Sequence, residues 1–494
     1  MPTPTATTAS ALSLLDAAFF LLETEERMSN VGPLMIVRPK AGARGARAYA
    51  DRLLRDIVKC PLAPPFDRVY QAPGWRGLPR LVQAPVVNVE EHCYRHTLPA
   101  PGTQAQLFEF VCRLHEQRLD RSRPLWELHV IDGLAKGLVA IYFKVHHGMI
   151  DGRGMQVAFD RFFSTSPDDR TVHAPWEPPE DVGSKRGLAA SKAAAARQPA
   201  ADTTPKRSLL AALGRQALAS AGLAEGMPLP FLNMPAVLEA APSVRRCLAY
   251  CLLPLERVRT LAHQYDAKVN DVMLTVLDMA MNAHLGRGDG HPLVADMPVA
   301  LAQARGGNAL AILQFPLGAP AASPLDRLEQ VKRHTAKVKA HVRQTETGAL
   351  VNYTALVHAL PAAMEVLGVS RSPTLANAVI SNPGGYTEKR YVAGAELVTG
   401  LPVSVLAPGQ TLNITVATYD QNLQIAFLGM ESALPDIQRL ADLTVKAFDE
   451  LQAAATAPQR RAGLMSQATI AARLLTRPMA RFRPNRRCRL RPQV

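Results

Sequence analysis

Between Gly137 and Met155 the chain reads Gly-Leu-Val-Ala-Ile-Tyr-Phe-Lys-Val-His-His-Gly-Met-Ile-Asp-Gly-Arg-Gly-Met. Leu138 to Val145 is almost continuously apolar and rich in β-branched and aromatic residues, the pattern of a strand covered on both faces. Such a strand belongs inside a layered α/β unit. It delivers His146 and His147 into a loop, where Asp151-Gly152 turn the chain. Beyond the turn Met155, Phe159 and Phe162 recur at helical spacing. A pair of imidazoles at the end of a buried strand calls for a chemical reason.

The rest of the chain is arranged in two units. Residues 10 to about 180 read as one α/β unit, with a short strand at Met35-Ile-Val and a helix over Ala48 to Val58. Leu107, Val111, Leu114 and Arg118 mark a further helix after a Pro-Ala-Pro-Gly turn at 99–102. Pro124-Leu-Trp-Glu-Leu-His-Val-Ile followed by Asp132-Gly133 predicts a hairpin whose second strand is Leu138 to Val145. Ser184 to Thr204 lacks apolar periodicity and reads as an exposed linker, with a helix over Ser208 to Leu223. The second unit carries a strand at Leu248 to Leu253 and a helix from Asp271 to Leu285, capped by Asn270 and closed by Gly286. Leu325, Leu328, Val331, Val338 and Val342 mark a long amphipathic helix. Ala378-Val-Ile-Ser-Asn-Pro-Gly-Gly reads as a strand entering a tight turn, Leu412 to Tyr419 as a strand, and a last helix follows Pro435. The expected division is residues 1–183, a connection over 184–239, a second domain over 240–456 and a tail over 457–494. Two halves of similar size and element order suggest duplication, although no sequence repeat is visible.

Composition narrows the partners. The net charge is +14, but residues 457–494 hold ten arginines, no lysine and no acid, which leaves +4 for the remainder. Attraction to anionic surfaces therefore belongs to the tail. Its arginines have only Phe482 among them for stacking, so no nucleic acid partner is expected. Leu464, Ile470, Leu474 and Leu475 beside arginines fit an interfacial segment, with disorder in solution as the default. No apolar run reaches the roughly 18 to 20 residues of a membrane span. The apolar stretch near the N-terminus is broken by Asp16 and lacks the marks of a signal peptide. Six cysteines without a CxxC pair read as reduced cytosolic thiols.

Histidine suits general-base work near neutral pH. Asp151 can brace the turn or orient an imidazole, and Gly152 allows a tight backbone approach. Adjacent histidines in a strand point to opposite faces, and no third ligand lies near, so no metal site is expected. No G-x-S-x-G elbow is present for serine chemistry. Asn270, Ser381 and Asn382 are candidates for oxyanion or substrate contacts, each with a plain structural alternative as cap or turn. Pro124, Leu125 and Trp126 read as hairpin and core residues.

His146-His147-Gly148-Met149-Ile150-Asp151-Gly152 matches the HHxxxDG motif of CoA-dependent acyltransferases and condensation domains. Leu119-Asp-Arg-Ser-Arg-Pro-Leu-Trp-Glu127 resembles the stretch that precedes it in bacterial wax ester synthase/diacylglycerol acyltransferases. Ser13-Leu-Leu-Asp-Ala-Ala-Phe19, Asn270-Asp271, Ile380-Ser-Asn-Pro-Gly384 and Leu412-Asn-Ile-Thr415 follow in that family's order, over residues 10 to about 455. The resemblance implies an α/β (α+β) fold of two chloramphenicol-acetyltransferase-like domains, a pseudo-dimer with a tunnel between them. It also implies transfer of a long-chain acyl group from acyl-CoA to a fatty alcohol or diacylglycerol, without cofactor. His147 would be the general base, with His146 supporting and Asp151 and Gly152 structural. The protein is then expected in the cytoplasm, held peripherally to an anionic membrane or lipid inclusion by its tail. Two departures stand out. Ala302 occupies the place of the family's arginine, with Arg305 a candidate to substitute as a salt-bridge partner, and Ser381-Asn-Pro-Gly384 is shortened. Other readings are a condensation-type ester- or amide-forming domain, and a lipid-binding homologue that has lost turnover.

Overall fold

The computed structural model describes residues 10–40, 42–73, 77–150, 152–178, 208–221, 223, 230–231, 234–301, 310–369 and 374–475. Asp151, Ala302, Arg305, the linker Ser184 to Thr204 and the last part of the tail lie outside them.

The apolar stretch forms β7 (Val139–His146), and all eight of its residues are buried. Val139, Ile141, Phe143 and Val145 enter the core of the first half, while Ala140 and Tyr142 join a cluster shared with the second half. Burying side chains of this size is worth roughly 1.5–3 kcal/mol each. β7 is flanked by β2 (Asn30–Arg38) and β6 (Trp126–Asp132), both antiparallel to it. The β6–β7 pair is the hairpin expected from Asp132-Gly133. β5 (Cys93–Thr97) closes one edge in parallel with β6. A close approach explains Gly32 on β2, where a Cβ would lie 1.7 Å from the Phe143 carbonyl oxygen. A small sheet of β1 (Ser10–Ala11), β3 (Arg68–Gln71) and β4 (Arg80–Gln83) lies beside it.

The other edge of the main sheet comes from the second half. β13 (Ala395–Val403) pairs antiparallel with β2, from Glu396 opposite Arg38 to Val403 opposite Gly32, and β12 (Tyr391–Val392) lies outside it. The order is β12-β13-β2-β7-β6-β5.

The second sheet has the order β10-β9-β11-β14-β15-β8. It comprises β8 (Arg246–Pro254), β9 (Val294–Ala300), β10 (Leu310–Pro316), β11 (Ala378–Tyr386), β14 (Leu412–Tyr419) and β15 (Asn422–Met430). Helices Val269–His284, Pro324–Gln344 and the start of Ile437–Leu475 cover it, their apolar faces forming one core with the strands.

Several details differ from the sequence reading. The helix at 269 is entered through Lys268, whose N–H donates to Asp271 Oδ2 (2.8 Å), so Asn270 sits in its first turn and is not its cap. Gly286 does close that helix with a positive φ. β11 does not stop at a turn after Asn382. It continues to Tyr386 through a register shift between Ser381 and Gly384, because parallel pairing to β14 resumes beyond the bulge. The last helix runs to Leu475, into the stretch expected to be disordered. Arg118 lies beyond the helix Gln104–Glu116, which ends at the Gln117 cap.

Candidate active site

β7 ends at His146, and the peptide groups that follow are pinned. The His146 N–H donates to the Leu125 carbonyl (3.0 Å) and the His147 N–H to the Ser29 carbonyl (2.7 Å). The Met149 N–H returns to the His146 carbonyl (2.9 Å). The two histidines are therefore anchored to the residue just before β6 on one side and to the residue just before β2 on the other.

A short helix, Leu14–Leu21, lies across this turn. Ser13 caps it, its Oγ accepting from the Asp16 N–H (3.1 Å). Phe19 stacks on the His147 imidazole, with centroids 4.0 Å apart and planes 15° from parallel. Phe20 stacks on His146 in the same way, at 4.1 Å and 13°. The seat is tight: a Cβ on Gly148 would stand 2.4 Å from the Phe20 ring. The Ser29 hydroxyl donates to the Phe19 carbonyl (2.9 Å) and ties the helix to β2.

The two imidazoles have different environments. His146 is 1% exposed, whereas His147 is only half-buried. His146 Nδ1 accepts from the Gly148 N–H (3.1 Å), which puts the ring proton on Nε2, facing Glu23 Oε1 at 3.8 Å. Burial first, then Arg121, His147 and Arg118, push the His146 pKa well below the ordinary range, so it stays neutral. Glu23 is itself buried and held from both sides. Its Oε2 accepts from Arg118 Nε and Arg121 Nη2, each at 2.9 Å, and its Oε1 from the Ser29 N–H at 3.2 Å. Arg121 also donates to the Phe20 carbonyl (2.9 Å) and lies over the Tyr70 ring.

On the face of β7 that carries His146, Lys144 is fully buried and donates to Glu127 (3.2 Å). Burial lowers the Lys144 pKa against the opposing pull of Glu127. Burial acts to raise Glu127, but hydrogen bonding from His129 and the charge of Lys144 hold it down at about 2. This pair braces the strand that presents the histidines.

Gly152 opens the helix Gly152–Phe162, and a Cβ there would meet nothing within 4 Å. The tight approach expected at Gly152 is found instead at Gly148. Leu125 and Trp126 are core residues, as expected, with Trp126 Nε1 donating to the Phe66 carbonyl (2.9 Å).

Asn270, Ser381 and Asn382 do come together. With Met273, Leu274, Met297, Pro298 and Ile380 they line a cavity of about 320 Å³ at the start of the helix Val269–His284. Ser381 Oγ donates to Thr415 Oγ1 (3.1 Å), and Asn382 Oδ1 accepts from the Gly384 N–H (3.2 Å) across the bulge. No residue of this lining is among the contacts described for the histidine pair.

Phe19, Phe20, Glu23, Arg118 and Arg121 were given no part in the chemistry by the sequence reading, which placed Arg118 on a helix and Phe19 and Arg121 only within the family-like stretches. The available signal was the sequence of matched motifs itself: the N-terminal stretch and the Leu119–Glu127 stretch precede the histidines in order, and the structure joins all three.

The architecture first defines a class. The first condensation domain of the CDA synthetase superposes with a TM-score of 0.55 at 17% identity, over 90% of this chain and 98% of its own, a likeness of fold alone. The wax ester synthase/diacylglycerol acyltransferase from Marinobacter aquaeolei VT8 superposes at 0.67 with 26% identity, over 90% of this chain and 100% of its own. The wax ester synthase/diacylglycerol acyltransferase catalytic domain matches residues 12–273, and the WS/DGAT C-terminal domain matches residues 306–452. A Mycobacterium tuberculosis H37Rv chain named probable diacylglycerol O-acyltransferase Tgs4 is 32% identical over 459 residues, 89% of this chain and 95% of its own. The chain thus belongs to the wax ester synthase/diacylglycerol acyltransferase family and is an acyltransferase.

Proposed function

We propose that this acyltransferase moves a long-chain fatty acyl group from acyl-CoA to the hydroxyl of a fatty alcohol or diacylglycerol, giving a wax ester or triacylglycerol and free CoA. The observation that carries the reading is the asymmetry of the histidine pair. His147 is half-buried and stacked on Phe19, beside a His146 that is buried, neutral and fixed in one tautomer.

In this reading His147 takes the proton of the acceptor hydroxyl as its oxygen attacks the thioester carbonyl. The C–O bond forms, the C–S bond breaks, and the imidazolium returns the proton to the departing CoA sulfur. No acyl-enzyme and no cofactor are needed. His146 is the support, since its neutral ring adds no charge that would oppose protonation of His147. Asn270, Ser381 and Asn382 are candidates for contacts to the oxyanion or the CoA arm. Their support is a shared cavity at a helix N-terminus, where the dipole favours negative charge.

A donor and acceptor panel tests the proposal. Free thiol should appear when a long-chain acyl-CoA is mixed with a fatty alcohol or a diacylglycerol, and the corresponding ester should be extracted. Turnover only with an acyl-carrier donor, or none with either acceptor, would overturn it.

The proposal extends to location. Among the described residues no helix is long and apolar enough to cross a membrane. The arginines of 457–494, each worth about 1 kcal/mol near an anionic surface, are then the peripheral anchor to a membrane or lipid inclusion. A chain truncated after Thr456 should pellet less with vesicles rich in anionic lipid than the full chain. Equal pelleting of the two would remove the tail from the account.

A further inference from the structure

We infer that Phe19 is a positioning residue for the reaction, holding the plane of the His147 ring and stabilising its protonated form. The inference rests on His147 being the general base.

The two rings lie face to face at 4.0 Å, within the distance at which an aromatic face attracts a cation. Before proton transfer the contact is ordinary stacking. Once His147 holds the hydroxyl proton, a cationic ring lies over the negative face of Phe19, and the attraction increases. An interaction that strengthens on the way to the transition state raises kcat, whereas a contact within the protein that keeps a constant strength leaves the barrier unchanged. Phe19 is held in place for this role: its carbonyl accepts from Ser29, the same residue whose carbonyl pins the His147 N–H.

The charged groups around the pair lie on several elements, with two arginines against the one carboxylate nearest to it. Glu23 lies between Arg118 and Arg121, and Lys144 on β7 pairs with Glu127. Asp16, on the same helix as Phe19, accepts from the Ser13 hydroxyl (2.6 Å). His146 stays neutral because of its burial. Phe20 therefore provides an internal control: it stacks as closely as Phe19, but on a ring that does not titrate in the working range.

The test compares kcat, KM and the pH profile of the intact protein and its Phe19→Leu, Phe19→Trp, Phe20→Leu and His147→Ala variants. The residual activity of His147→Ala identifies the limb that belongs to His147. Phe19→Leu should lower kcat roughly ten- to a hundredfold, leave KM for acyl-CoA within about twofold, and move the His147 limb down by roughly half a pH unit. Phe19→Trp should recover most of kcat and bring the limb back to at least its original position, because indole offers the strongest cation-binding face. Phe20→Leu should leave the limb where it is.

A Phe19→Leu effect confined to KM, an unmoved limb, or a tryptophan variant no better than leucine overturns the inference. If Phe19→Leu does not fold, Phe19→Trp decides, and a limb below the original position overturns it. A His147→Ala protein near the original rate overturns the general-base reading itself. A nearly inactive His147→Ala combined with an unmoved limb in Phe19→Leu overturns only the role of Phe19.

Discussion

Replacing His147 with alanine is expected to lower kcat/KM roughly 10²- to 10⁴-fold, the usual cost of removing a general base. The effect should fall on kcat, because the acceptor hydroxyl must then be deprotonated by solvent while the binding surfaces remain. The main chain should be little disturbed, since the hydrogen bond that anchors residue 147 is made by its N–H to the Ser29 carbonyl and survives the change. His146→Ala should act differently. It removes the acceptor for the Gly148 N–H and the partner of Phe20, so its loss of rate should come with a lower melting temperature. The measurement is CoA release under saturating acyl-CoA together with a thermal melt. An alanine at 147 that releases CoA at the original rate would sink the mechanism.

The second large effect concerns stability and lies far from the histidines in sequence. Asp278 is fully buried in the helix Val269–His284. Its Oδ2 pairs with Arg327 Nη1 (3.0 Å) and its Oδ1 accepts from Asn282 Nδ2 (2.9 Å). Burial raises its pKa to about 6 even though Arg327 opposes the shift. Arg327→Met leaves that carboxylate without its counter-charge and should cost roughly 3–5 kcal/mol near neutral pH. The pH dependence has a defined sign. The folded pKa is above the unfolded value, so this group favours the fold when protonated, and that contribution is lost as pH rises through about 6. Without Arg327 the folded pKa rises further, and protonation relieves the penalty sooner on acidification. The gap in melting temperature between the variant and the original protein should therefore narrow from pH 7.5 to pH 5.5. Adding Asp278→Leu should recover most of the loss. A gap that is the same at both pH values, or a double variant no better than the single, would contradict this account.

How much could be read beforehand depended on whether the information was local. Leu138 to Val145 is apolar at every position but one, and Asp132-Gly133 is a strong turn, so the central hairpin was legible. The cap at 269 was misplaced by two residues because Asn270 is a good capping type, and only the geometry shows that Lys268 and Asp271 fill that role. The strand Ala395–Val403 was not read from the sequence, and the alternation of Ala395, Leu397, Thr399, Leu401 and Val403 carries no information about which sheet it joins. The pairing of Phe19 and Phe20 with the histidines is of the same non-local kind. Two adjacent phenylalanines in an apolar helix read as core, and the surface they meet is set by the packing of distant elements. The three candidates of the second half line one cavity, although Asn270 also read as a cap, and Ser381 and Asn382 read more readily as a plain turn.

The exchange of β13 into the first sheet has a consequence for how the protein is made. β2 is the neighbour of the histidine strand, and its outer edge is paired from Gly32 to Arg38 by residues 396–403. During synthesis those partners emerge only after most of the second half has been translated. Until then the nascent first half carries an open strand edge one strand away from the histidine pair, the kind of edge that pairs with foreign strands. That sheet is thus completed late, and truncating the message between codons 147 and 396 would yield a chain containing both histidines but lacking the strand that closes the sheet beside them.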